Sequence, residues 1–270
     1  AYEIVMDPLE FRRKNLIHGY YEDAYLKPIA ANTNGIFECL EKGAEYIHWD
    51  EKRKAYQNQT GDIRRGVGMA LFSYKTGVWP ISLEIAGARL SLNQDGSVQL
   101  QVGATEIGQG ADTVFSQMAA ETLHMDISRV HIVTQQDTDV TPFDTGAYAS
   151  RQSFVTGTAV KECAQQLKQK ILEYARTLVP GNVDRLELED GYILADGKPA
   201  ISLEDLAMES YYSLSNSSVL TAEVSRQVKK NTVASGCCFA EVEVDIKLGK
   251  IKILHIINVH DSGKLLNPQL

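Results

Sequence analysis

Gly108-Gln109-Gly110 stands between an alternating, strand-like run and the first apolar turn of a helix. Glycines at that place let a backbone approach a ligand closely, and the first N–H groups of a helix, lacking partners inside it, suit an anion such as phosphate. A tight strand-to-helix turn uses glycine too, so the tripeptide alone favours the plainer meaning. Gly146-Ala147-Tyr148-Ala149-Ser150-Arg151-Gln152-Ser153 is a second run of small and polar residues that opens onto a helix. Ser150 and Ser153 can donate to an anion and Arg151 can balance its charge, although an ordinary N-cap beside a solvated arginine would use the same residue types. Two such loops in one chain favour a single elongated, phosphate-bearing cofactor held between them.

Other motifs fail on spacing. Gly191 and Gly197 are separated by five residues where a P-loop has four, and Pro199 stands where Ser or Thr would bind magnesium. His260-Asp261-Ser262 holds the residue types of a hydrolase triad, but consecutive strand residues point to opposite faces and cannot relay a proton. No Gly-x-Ser-x-Gly, Gly-x-Gly-x-x-Gly or His/Cys ligand spacing occurs. Cys39, Cys163, Cys237 and Cys238 form no C-x-x-C pair, so a reducing, cytoplasmic setting is expected, with Cys237 and Cys238 as packing residues and His131 and His255 in strands. With 27 Lys and Arg against 35 Asp and Glu, the formal net charge of −8 argues against a nucleic-acid partner. No apolar run approaches the ~20 residues of a membrane span, and no secretory leader opens the chain. The 44% apolar content over 270 residues allows a substantial core.

The elements that must carry the two loops are legible as pattern. Val67, Met69 and Leu71, then Leu83, Ile85, Ala88, Leu90 and Leu92, keep a strand rhythm; a turn at Asn93-Gln94-Asp95-Gly96 followed by Val98, Leu100 and Val102 predicts a hairpin over 87–104. A helix follows Gly110 through Val114, Phe115, Met118, Ala119 and Thr122, and Val130 and Ile132 form a short strand. A long helix runs through Val155, Val160, Cys163, Leu167, Ile171 and Leu178. Leu186–Ala195 reads as a small hairpin, Leu203–Met208 as a helix capped by Ser202, and Val219–Val224 as an extended connector. Phe239, Val242 and Val244 turn at Leu248-Gly249-Lys250 and return through Ile251, Ile253, Ile257 and Val259. This hairpin echoes the first, which suggests an internal duplication. Near the start, Asp7 caps a helix with Pro8 at its first position, ending near His18-Gly19, and Asn34 caps a second over Gly35–Trp49. The pattern changes near Gly61, so residues 1–62 are expected to be a helical tail and 63–270 a second domain. Ala1 at the start and Asn267-Pro268 near the end suggest a piece of a longer polypeptide.

Taken together, Ala104-Thr105-Glu106-Ile107-Gly108-Gln109-Gly110, Tyr148-Ala149-Ser150-Arg151-Gln152-Ser153, Phe239-Ala240-Glu241-Val242-Glu243-Val244-Asp245, Val259-His260-Asp261-Ser262-Gly263-Lys264 and Asn267-Pro268 resemble the molybdenum-binding subunit of the xanthine dehydrogenase family. Asp7-Pro8-Leu9-Glu10-Phe11-Arg12 with Asn15-Leu16 matches the stretch closing that family's first cofactor-binding domain, so the resemblance spans the chain. It implies an α+β fold of mixed sheets and packed helices, with 1–62 closing a first molybdopterin-binding domain and 63–270 forming an incomplete second one. It implies oxidative hydroxylation of purines (hypoxanthine or xanthine to urate), with molybdenum carried by a pterin dithiolene, either as molybdopterin itself or as its cytidine dinucleotide form, rather than by protein side chains. Ile107, Gly108, Gln109 and Gly110 would contact the pterin and Ala149, Ser150, Arg151, Gln152 and Ser153 would line its other side, Ala149 leaving the substrate face open. Electrons would pass to iron–sulfur and FAD centres on partner subunits or domains in an oligomer. The family's catalytic glutamate falls beyond Leu270, and its Gly-Gly-Phe-Gly-like loop, glutamine and arginine fall before Ala1, so no catalytic residue and no metal ligand is assigned here and the chain alone is expected to be inactive. An aldehyde-oxidising or carbon monoxide-oxidising relative, and a non-catalytic assembly module of the same fold, stay open as alternatives.

Overall fold

The computed structural model describes residues 1–17, 20–22, 28–30 and 35–269. Contacts divide them into two compact units, one of 1–76 with 232–270 and the other of 77–231. The expected break near Gly61 is therefore not where the chain divides. The switch from helical to strand pattern marks only the end of a helix, and the strand after it stays with the helices before it.

In the first unit, α1 (Pro8–Asn15) opens on Asp7, whose carboxylate accepts from Leu9 N at 2.8 Å, with Pro8 in the first turn as the sequence predicts. β1 (Tyr20–Glu22) and β2 (Pro28–Ala30) pair antiparallel. α2 (Gly35–Ile47) stops where His48 takes a left-handed φ of 56°, and α3 (Trp49–Ala55) follows, so the single helix expected to Trp49 is two. The Asn34 cap and the helix end at His18-Gly19 lie outside the described residues; α1 itself closes at Asn15. β3 (Ile63–Thr76), β11 (Thr232–Asp245) and β12 (Lys250–Asp261) form an antiparallel sheet in the order β12-β11-β3. One face meets the helices: Leu40, Ile47, Trp49, Cys237 and Phe239 are buried together, with Trp49 set edge-on to Phe239 at 5.7 Å. Gly43 of α2 packs against β11 so closely that a Cβ there would lie 2.3 Å from the Phe239 ring. Thr76 and Thr232 are direct partners across β3 and β11, so the chain leaves the ladder at one of them and rejoins it at the other.

In the second unit, β4 (Ile85–Leu92), β5 (Val98–Val102), β6 (Val130–Ile132) and β10 (Thr221–Gln227) form a sheet in the order β10-β4-β5-β6. The β4–β5 hairpin is the predicted one; β5 and β6 are parallel, joined through α4 (Ala111–Leu123). α5 (Gln152–Leu178) buries Val155, Ala159, Cys163, Leu167, Ile171 and Ala175, a stripe at spacings of four that seals the sheet's inner face. β7 (Leu186–Glu189), β8 (Tyr192–Ala195) and β9 (Lys198–Ser202) make a small antiparallel sheet, and Ser202 caps α6 (Leu203–Tyr212). The extended connector expected at Val219–Val224 is in fact β10, paired with β4 from Thr221 to Gln227; only Ala222 and Val224 turn inward, too short an alternation to read. The two hairpins that echo each other lie in different sheets.

Candidate cofactor site

β5 ends at Val102, and the chain crosses a tight spot before the first loop. Gly103 faces the Pro142 carbonyl, where a Cβ would come within 2.0 Å. Gly108 and Gly110 follow at φ 100° and 82°, values open to glycine at little cost, and a Cβ on either would meet nothing within 4 Å. Open space therefore lies over this loop. Ile107 and Gln109 are both exposed.

The amides at the start of α4 do not wait for a guest. Glu106 folds back over them, accepting from Gly108 N at 2.6 Å, Gly110 N at 3.1 Å and Asp112 N at 3.2 Å. Those donors, Gly110 foremost, hold its carboxyl below the usual range. The expectation that the N–H groups opening this helix are free for a phosphate is thus corrected: a side chain of the same loop already supplies the negative charge that the helix start favours. Beside it, Asp112 carries a buried Oδ1 without a hydrogen-bond partner, and burial, then the Glu106 charge, pushes its carboxyl up.

The second loop arrives at α5 with Ala149 and Ser150 both left-handed, at φ 48° and 52°. Neither is glycine, so the surroundings must impose this backbone. Gly77 N donates to Ala149 O at 2.9 Å and Arg151 N to Tyr148 O at 3.1 Å. Arg151 does not reach toward a ligand. It is fully buried, with Nε 2.5 Å from Glu84 Oε2 and Nη1 2.6 Å from Asp144 Oδ1, and its side chain also donates to the Gly146 and Ile85 carbonyls. Burial works against its charge, while the two carboxylates outweigh that and hold it firmly protonated. The role expected of Arg151, a cation facing an anion, is overturned for its side chain; its backbone stays in the loop. Ser150 and Ser153 are exposed, and Gln152 is nearly buried.

The two loops meet. The Gln109 side-chain amide donates to Gln152 Oε1, and both glutamines also donate to the Thr105 carbonyl, at 3.0 Å and 3.1 Å. Gln109 Oε1 in turn accepts from Ile107 N at 2.7 Å. Ile107, Gly108, Gln109 and Gly110 are thereby tied to Gln152 and the turn of Ala149, Ser150, Arg151 and Ser153. Glu106, Glu84 and Asp144 were not singled out from the sequence. Glu106 carried a local signal, a carboxylate just ahead of a glycine-rich helix start. Glu84 and Asp144 carried none, being 67 and 7 residues from Arg151. Among the described residues no group of three or more His, Cys, Asp or Glu could hold a metal ion, and no helix is long and apolar enough to cross a membrane.

A mixed sheet sealed by long helices, with two small-residue loops bridged by paired glutamines, fits a domain class defined by its cofactor. The chain belongs to the molybdopterin cofactor-binding domain family, whose model matches residues 42–270. It is 46% identical over 271 residues to the putative xanthine dehydrogenase molybdenum-binding subunit XdhA of Escherichia coli strain K12, a match covering 98% of this chain and 36% of the relative. The chain thus spans little more than a third of that relative's length. Its fold superposes on quinoline 2-oxidoreductase from Pseudomonas putida 86 with a TM-score of 0.80 at 20% identity, covering 100% of this chain and 36% of the other. Carbon monoxide dehydrogenase from Oligotropha carboxidovorans gives a TM-score of 0.79 at 22% identity, over 99% of this chain and 35% of the other.

Proposed function

We propose that this chain is the molybdopterin-cradling part of a xanthine dehydrogenase-type molybdenum hydroxylase that oxidises hypoxanthine and xanthine to urate. The single observation that carries the reading is the joining of the two loops through Gln109, Gln152 and the Thr105 carbonyl. The purine substrate draws support from the name of the 46% identical relative. Iron–sulfur and FAD centres on partner subunits or domains, a cytidine dinucleotide form of the pterin, an oligomer and a cytoplasmic setting belong to the same reading.

The residues present fit the group. Glycines at 108 and 110 leave open space, small side chains at 147 and 149 keep the facing loop low, and Ser150 and Ser153 expose hydroxyl donors at the start of a 27-residue helix. Because Glu106 already neutralises the start of α4, an anionic portion of the guest belongs at the α5 side and a neutral, hydrogen-bonding portion at the Gln109 side. When bound, the cofactor supplies two-electron redox and oxygen-atom chemistry at molybdenum. Gln109 and Gln152 fix each other's amide orientation, Ser150 and Ser153 would donate hydrogen bonds to the cofactor, and the small Ala149 side chain would leave room for substrate.

The test is molybdenum and pterin content of the intact enzyme carrying this chain, with Gln109→Ala and Ser150→Ala combined. About a tenfold or larger loss of both is expected, as for groups supporting a metal site. Unchanged content with the fold intact would favour a non-catalytic assembly module. A panel of purines and aldehydes on the loaded enzyme then decides the substrate class.

A further inference from the structure

The side chain that the sequence offers as a ligand is instead the centre of a buried cluster beneath the loop. Arg151, Glu84 and the Asp144 side chain are all shielded from solvent, and the cluster fastens separate stretches of chain. Glu84 Oε1 accepts from Val78 N at 2.5 Å, holding the segment whose Gly77 N binds the Ala149 carbonyl at 2.9 Å. Asp144 Oδ2 accepts from Thr156 Oγ1 of α5 at 2.7 Å, and Asp144 Oδ1 from Gly146 N at 2.8 Å. The guanidinium closes the ring on the carbonyls of Gly146 and Ile85, at 2.9 Å and 2.8 Å. Thus the β4 start, the 77–84 segment, the 144–148 turn and the first turns of α5 all end on one planar cation.

Such clusters are costly to desolvate, and apolar replacements of equal volume are often as stable. What an Arg fork adds is direction, since its N–H groups leave at fixed angles. The residues just before it in sequence, Ala149 and Ser150, are the ones whose left-handed backbone needs outside enforcement.

We propose that Glu84 and Asp144, acting through Arg151, are positioning residues that fix the backbone of Ala149–Ser153 in the shape that receives the cofactor. The proposal rests on the molybdopterin reading above. Neither acid touches the guest. Their effect on loading is separate from their effect on folding.

The experiment uses the intact enzyme with Glu84→Gln, Asp144→Asn and Arg151→Lys, beside Leu188→Ala, which opens the core under β7 away from the loop. Molybdenum and pterin content, thermal midpoint and amide hydrogen exchange at Ala149–Ser153 are read for each. Glu84→Gln is expected to lose about tenfold in cofactor content, the scale seen for outer-shell partners of metal sites, and to exchange faster at the loop. Leu188→Ala should keep its content while losing as much thermal stability. If Glu84→Gln does not fold, Arg151→Lys, which keeps the charge but not the fork, is expected to show the same loss. Loading that follows the thermal midpoint across all variants would overturn positioning while leaving the cofactor reading intact. A wild-type enzyme without pterin would overturn both.

Discussion

Glu241 shows how much one buried carboxylate can depend on its donors. Burial alone would raise its pKa, but Lys52 Nζ at 2.6 Å, Tyr56 OH at 2.5 Å and His255 Nδ1 at 2.7 Å outweigh this and bring it down to about 2. A carboxylate whose folded pKa is depressed stabilises the protein above its unfolded value and loses that contribution as pH falls. Acid titration of the folded fraction should therefore show a loss between about pH 4.5 and about pH 2. Glu241→Gln should flatten that window and lower stability at pH 7; an unchanged acid limb would contradict the assignment. At this scale the sequence revealed identity but seldom environment. Gly108 and Gly110 could be read because positive φ has a residue preference. Arg151 looked like a solvated cation because nothing local marks a cation whose partner lies 67 residues away.

Helix packing offers a sharper contrast between two glycines. In both α2 and α5, exchanging a glycine for alanine gains roughly 1 kcal/mol of helix propensity. At Gly157 the added Cβ would meet the flexible end of Met118, at 2.6 Å from Sδ, which can swing aside. At Gly43 it would strike the ring of fully buried Phe239 at 2.3 Å. Gly157→Ala is expected to change stability little, whereas Gly43→Ala should cost about 1–3 kcal/mol from overpacking. Denaturant midpoints of the two variants check this, and equal midpoints would contradict it. Elements with long apolar periods, such as α5 and the β4–β5 hairpin, were legible because each carries enough turns or alternations to define a face. β10 was not, since it shows two inward residues and takes its strand character from pairing with β4.

The two units own separate cores: Leu40, Trp49 and Phe239 belong to one cluster, Leu90, Leu167 and Ile171 to the other, and no residue is shared. Leu40→Ala and Ile171→Ala should each cost about 2–5 kcal/mol. In combination they should add to within about 0.5 kcal/mol, because coupling needs shared neighbours. A larger coupling in calorimetry would show that the cores communicate. The sequence suggested one boundary, near Gly61, because a change of pattern is visible in one dimension. A unit assembled from both ends of the chain is not. Thr76 and Thr232, facing each other on neighbouring strands, turn that arrangement into a cut-and-paste opportunity. An Asn-Gly pair could bridge them as a tight turn, releasing residues 77–231 as a transplantable cassette and leaving the remainder as a miniature host able to accept another insert.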